Sequence, residues 1–164
     1  MLEKLDFYRV DKEYADFLRE HDSKVPFIET AHYRYNKFFV GVVLRINNID
    51  YFAPVTSYKG IDKGSFPIIK DGKIISSVRP NFMFPVIEGV YEPININKEF
   101  SGSYHRFVMY EFDYCNRYRE QIFALARKTY NLRTKPRDKR ERDFFQDKII
   151  DFKKLEKVAK KFKR

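Results

Sequence analysis

The order of patterns along the chain predicts an α+β fold: a mostly antiparallel sheet with helices before and after it. Three observations lead there. Short β-prone runs follow one another through Asn-Asn, Asp-Gly and Glu-Gly turns. From Ser103 onward the apolar spacing switches to that of helices. The 164 residues include 17 Phe and 12 Tyr, enough ring surface for one core, so residues 1–164 are read as a single domain.

Leu5 to Val10 is an apolar-rich first strand, and Asp11 is a plausible cap for a helix over 12–21, where Tyr14, Phe17 and Leu18 recur at helical spacing. Residues 22–36 form a long loop carrying Lys24, His32, Tyr33 and Tyr35 and leading into Lys37; long loops inside small domains are often functional. Phe38 to Ile46 reads FFVGVVLRI, a strand, and turns at Asn47-Asn48 into a second strand over Tyr51–Val55. Ser65–Lys70 and Lys73–Ser77 flank Asp71-Gly72 as the next hairpin. Phe82–Ile87 and Val90–Ile94 read as another pair around Glu88-Gly89, with Pro85 at an edge or bulge. Phe107, Tyr110, Tyr114, Tyr118, Ile122 and Leu125 then mark one face of a long helix ending near Tyr130. A basic linker over 131–139, broken by Pro136, leads to a short helix near 140–148. A terminal helix over Asp151–Lys163 sets Phe152, Leu155, Val158, Ala159 and Phe162 against lysines.

Net charge is +10, and all of it resides in residues 127–164, which hold 16 basic and 6 acidic side chains. Such a segment attracts polyanions. RNA, DNA and an anionic membrane all fit, as does a merely solvated helix. The amino terminus has no apolar signal-type run, and no stretch of about 18 apolar residues occurs, so a cytoplasmic, non-membrane protein is expected. The lone Cys115, mid-helix among rings, reads as a buried small hydrophobe and fits a reducing compartment. Phosphate-cradling glycine loops, His- or Cys-based metal motifs and the G-x-S-x-G elbow are all missing from the sequence, so neither cofactor nor metal is expected. His21, His32 and His105 lie far apart, with no local spacing that favours a two-histidine site.

The suggestive chemistry lies in the Lys24–Lys37 loop and in Thr56-Ser57-Tyr58-Lys59, with Tyr14 a candidate to face the same place. RNA strand cleavage without metal needs cations and hydroxyl donors around a phosphate whose oxygens gain charge in the transition state. Lysines, tyrosines and a Ser/Thr pair supply both. Lysine titrates near ~10.4 and tyrosine near ~10 in the free state, so charge stabilisation is a better supported role for them than that of general base.

Those residues carry a resemblance. Phe7-Tyr8, Tyr14, Asp22-Ser23-Lys24-Val25-Pro26, Tyr33, Lys37, the F-x-G-x-V-L piece at Phe39–Leu44 and Tyr51-Phe52-Ala53-Pro54-Val55-Thr56-Ser57-Tyr58-Lys59 resemble the type III toxin–antitoxin endoribonucleases, the ToxN/AbiQ group. Phe82-Met83-Phe84-Pro85-Val86 matches more loosely, and beyond residue 100 only helical pattern and charge agree. The resemblance implies a compact, strongly twisted antiparallel sheet akin to the Kid/MazF ribonuclease toxins. It implies metal-independent RNA cleavage leaving a 2′,3′-cyclic phosphate, inhibition by a repeated pseudoknot RNA that the toxin itself trims, closed toxin–RNA assemblies and, in some members, phage defence. Carried over by position, Tyr14, Tyr33, Lys37, Thr56, Ser57 and Lys59 form the active site. Lys24, Arg133, Lys135, Arg137, Lys139, Arg140, Lys153, Lys154 and Lys157 are the expected RNA-binding set. The competing readings are a non-catalytic RNA- or DNA-binding module that works through its basic tail and a structural interaction protein.

Overall fold

Residues 3–28 and 37–163 are described by a computed structural model of the chain. Seven strands pair antiparallel: β1 (Asp6–Val10), β2 (Phe39–Ile46), β3 (Ile49–Thr56), β4 (Phe66–Lys70), β5 (Lys73–Val78), β6 (Phe84–Val86) and β7 (Tyr91–Pro93). Their order is β4-β5-β3-β2-β1-β7, with β6 also beside β3. The helices are α1 (Lys12–Arg19), α2 (Ile96–Glu99), α3 (Gly102–Arg117), α4 (Arg119–Thr134), α5 (Lys139–Gln146) and α6 (Phe152–Ala159), and a 3-10 turn covers Pro80–Phe82. The expected α+β architecture is the observed one.

Two hairpins form for local reasons. Asn47 and Asn48 take φ of 51° and 63°, and Asp71 and Gly72 take 52° and 75°, the left-handed pairs that tight hairpins require. Gly41 is demanded by packing rather than by φ. A Cβ there would lie 2.2 Å from Cδ1 of Phe52, whose ring stacks on Tyr8 at 4.4 Å. The glycine of F-x-G-x-V-L thus lets one ring lie flat on the sheet backbone.

Two expectations are corrected. The strands around Glu88-Gly89 do not pair with each other: β6 pairs with β3, and β7 pairs with β1. Each finds an open sheet edge, and Val90 and Ile94 are drawn to β1 by Asp11 N–H→Val90 O (2.8 Å) and Ile94 N–H→Phe7 O (2.8 Å). The long helix is two helices, interrupted at Tyr118 (φ −108°, ψ 24°). Its buried face is Val108, Glu111, Cys115, Ile122, Ala126 and Tyr130. Tyr110 and Tyr114 lie on a neighbouring half-buried face beside β4, where the Tyr110 hydroxyl donates to Ile69 O at 2.5 Å and Phe66 meets the Tyr114 ring. The break lets α3 cover β4 while α4 covers β2 and the 3-10 turn.

Buried polar groups tie the carboxy-terminal segment to the sheet. Glu156 on α6 accepts from the Tyr51 hydroxyl of β3 at 2.6 Å and the Tyr130 hydroxyl of α4 at 2.8 Å. Asp22 accepts from Asp151 N–H at 2.8 Å and from Lys24 N–H at 3.0 Å. Burial opposes its charge, but those amides and the Lys24 ammonium hold its carboxyl below the usual range.

Glu111 is the other buried carboxyl, accepting from the Ser76 hydroxyl at 2.6 Å. Burial pushes it up to about 7, against a small opposing pull from that hydrogen bond. The folded state therefore favours the protonated form. Its stabilisation is full below about pH 4.5 and is lost as pH rises through 7. Between pH 4 and 8 this group alone should cost the fold on the order of 3 kcal/mol. Urea unfolding across that range should show the decline in the wild type and a flatter profile in Glu111→Gln; equal slopes would refute the assignment.

Candidate functional site

The site is built where β3 ends. The β2–β3 register pairs Phe39 with Pro54, and Val55 N–H donates to Phe38 O at 3.3 Å, which carries Lys37 level with Thr56. On the other flank β5 pairs Val78 with Val55 and Ser77 with Thr56. Side chains two residues apart on a strand share a face, so Lys37, Thr56 and Ser77 lie in one row and Arg79 in the next row of the same face. Arg79 is fixed there by its amide, which donates to Pro54 O at 3.1 Å.

The chain leaving β3 is held by short polar contacts. Tyr58 N–H donates to Thr56 Oγ1 at 3.2 Å, and the buried Ser77 hydroxyl donates to Tyr58 O at 2.8 Å. Asp62 then accepts from the Tyr58 hydroxyl, Gly64 N–H and the Ser65 hydroxyl, each at 2.8 Å. These contacts brace the loop that bears Ser57 and Lys59, both of which are exposed. Lys37 is half-buried. Burial, followed by the like charge of Arg79, lowers its proton affinity below that of an ordinary lysine. Its amide donates to Ile28 O at 2.9 Å, which joins the two ends of the segment between them.

Of the expected residues, then, Lys37 stands level with Thr56, and Ser57 and Lys59 lie on the loop that follows Thr56. Tyr33 lies outside the described residues. Tyr14 sits in the core. Its ring is fully buried, meets the Phe162 ring edge-on at 5.2 Å, and its hydroxyl donates to Pro85 O at 2.5 Å. Burial pushes that hydroxyl well above the usual tyrosine range. Ser77, Asp62 and Arg79 were missed by sequence reading. Only the polar Ser76-Ser77 pair inside a β-prone run hinted at them.

The basic set divides as well. Lys24 pairs with Asp22 at 3.0 Å, and Arg133 donates to Ile149 O at 3.2 Å and reaches Asp151 at 3.8 Å, so both are engaged in the fold. Arg137 is tied to Glu141 at 2.7 Å, and Lys153 lies 4.0 Å from Glu156. Lys135, Lys139, Arg140, Lys154 and Lys157 are exposed. No helix among the described residues is long and apolar enough to cross a membrane.

A family model described as toxin ToxN of type III toxin–antitoxin systems matches residues 6–160. The chain belongs to the ToxN family. Endoribonuclease ToxN of Bacillus thuringiensis subsp. kurstaki is 30% identical over 166 residues, covering 96% of this chain and 84% of that protein. Endoribonuclease ToxN of Pectobacterium atrosepticum is 26% identical over 138 residues, covering 78% and 81% respectively. A solved structure reported for selective toxin inhibition by a non-coding RNA pseudoknot in type III systems superposes with a TM-score of 0.85 at 26% identity, covering 96% of this chain and 97% of that one. Membership in the ToxN family agrees with the resemblance read from residues 7–59.

Tyr14→Phe tests the core placement. Losing one buried hydrogen bond should lower unfolding stability by about 1–2 kcal/mol, because the Pro85 carbonyl is left without its donor. An unchanged urea midpoint would contradict it.

Proposed function

We propose that this chain is the metal-independent endoribonuclease toxin of a type III toxin–antitoxin pair, working as one domain in the cytoplasm. The observation that carries this reading is the register that sets Lys37 level with Thr56, with Ser57 and Lys59 on the braced loop that follows, in a chain of the ToxN family.

The ribose 2′-OH attacks the adjacent phosphorus, the P–O5′ bond breaks, and a 2′,3′-cyclic phosphate is left. The 2′-OH proton departs to a base and the 5′-oxygen receives a proton. Lys59 and Lys37 offset the charge that builds on the non-bridging oxygens, where removing one fixed donor typically costs about 10²–10³ in rate. Thr56 and Ser57 position the phosphate or pass a proton. Tyr33 would stack or hydrogen-bond the neighbouring nucleotide, as aromatic side chains commonly do for splayed bases. Tyr14 contributes by fixing Pro85 and with it β6 beside β3.

The inhibitor would be a repeated pseudoknot RNA held in a closed toxin–RNA assembly, in keeping with the pseudoknot inhibition reported for the structural relative. The exposed Lys135, Lys139, Arg140, Lys154 and Lys157 would grip its backbone, with Arg137 and Lys153 available once displaced from their carboxylates. Affinity should then fall steeply with salt. Defence against phage is the proposed biological role.

Induction in bacteria should arrest growth, and Lys59→Ala or Ser57→Ala should relieve the arrest while leaving the thermal melt unchanged. RNA ends mapped after induction should carry cyclic phosphates. Purified protein should keep its rate in excess EDTA, and loss of turnover on chelation would end the metal-independent reading. Growth arrest that persists in both variants but disappears when tail lysines are neutralised would instead favour a binding module.

A further inference from the structure

Arg79 has a setting that its role in the fold does not explain. Its guanidinium carbon lies 4.0 Å from the Tyr58 ring centroid and 4.9 Å from that of Phe82, so two rings hold the plane of the fork. Its one ion-pair contact among the described residues is long, Nη2 to Asp62 Oδ2 at 3.4 Å. Asp62 already accepts three hydrogen bonds of 2.8 Å from other donors. The Nε atom is buried and has no partner among the described residues. The side chain is only 18% exposed, so most of its hydration is gone.

The neighbourhood is also unbalanced in charge. Arg79 is anchored to Pro54, one row from Thr56 and Lys37 on the same face of the sheet. Its charge is close enough to Lys37 to depress that lysine's proton affinity. A confined guanidinium whose one carboxylate is already committed, beside a half-buried ammonium, is a costly pair unless an anion joins it. Planar bidentate donors match the two non-bridging oxygens of a phosphodiester.

We propose that Arg79 is a catalytic residue that contacts the substrate: its fork takes the non-bridging oxygens of the scissile phosphodiester beside Lys37, while Tyr58, Phe82 and Asp62 hold it aimed. This rests on the endoribonuclease reading above. It adds a guanidinium to a site otherwise read as lysines and hydroxyls, and it gives Tyr58, the variable position of T-S-x-K, the task of supporting that guanidinium.

The test uses purified full-length protein on total bacterial RNA, with the rate of appearance of cyclic-phosphate ends as the readout. Arg79→Met keeps an apolar stem between the two rings and removes every donor. It should melt with the wild type and cleave about 10²–10³-fold more slowly. Arg79→Lys, which keeps the charge and loses the fork, should recover part of that rate. Millimolar guanidinium should partly restore Arg79→Met, an effect that repair of a purely structural defect would not show. The pH–rate limb belonging to Lys37 should also move to higher pH in Arg79→Met, since the like charge is gone. Cleavage by Arg79→Met within about threefold of wild type would overturn the proposal. So would an equal loss in Arg79→Met, Arg79→Lys and Asp62→Ala with no rescue by guanidinium, which marks Arg79 as a loop clamp. Full activity in Arg79→Met together with loss in Lys59→Ala would sink this inference and spare the ribonuclease reading. Inactivity of the wild type on the same RNA would remove both.

Discussion

The arrangement of the site depends on one strand changing partners at a proline. Along its first half, β3 is flanked by β6 through Asp50, Tyr51 and Phe52; from Val55 onward the same flank belongs to β5. Val55 N–H points toward β2, so the nitrogen of Pro54 faces the flank where one partner has ended and the next has not begun. A proline in a central strand normally breaks the ladder by withholding a donor. Here no donor is wanted, and the Pro54 carbonyl on that flank receives the Arg79 amide. The Ala-Pro of the motif is therefore the hinge of the topology. It lets β5 approach the end of β3, and that approach sets Ser77 and Arg79 beside Thr56.

Carboxylates join the basic carboxy terminus to the same strand. Glu156 collects hydroxyls from β3 and α4, and Asp22 caps the backbone at Asp151 just ahead of α6. Buried acceptors with two or more donors are stable as a unit and expensive to break singly. The lysine-bearing outer face of α6 is thus placed by the same contacts that place the core of β3. The basic tail is thereby held in fixed relation to the strand that carries Thr56.

Much of this was legible in the residues. The Asn-Asn and Asp-Gly turns forced two hairpins, and the alternation of elements gave the α+β class. The stretch from Thr56 to Lys59 was local, so it could be read as a unit. What was not legible was non-local. Nothing near Glu88-Gly89 says that β6 and β7 go to opposite open edges, and nothing near Ser77 or Arg79 says that β5 abuts Pro54. Tyr14 shows two signals in conflict. Its spacing with Leu18 placed it on the buried face of α1, whereas the family resemblance assigned it to the site. The structure shows the buried ring that the spacing predicts. The tyrosines of α3 misled in the opposite sense, because Tyr110 and Tyr114 mark a flank of the helix rather than the face in the core.

The hydrogen bond from the Lys37 amide to the Ile28 carbonyl acts as a clasp at the base of residues 29–36. It fixes Ile28 and Lys37 to each other as a neck on the body of the fold. Because closing a loop grows costlier only slowly with length, such a neck tolerates longer or differently composed inserts at little expense to the body. Sequence drift between these two anchors therefore need not disturb the end of the sheet where Lys37 stands level with Thr56.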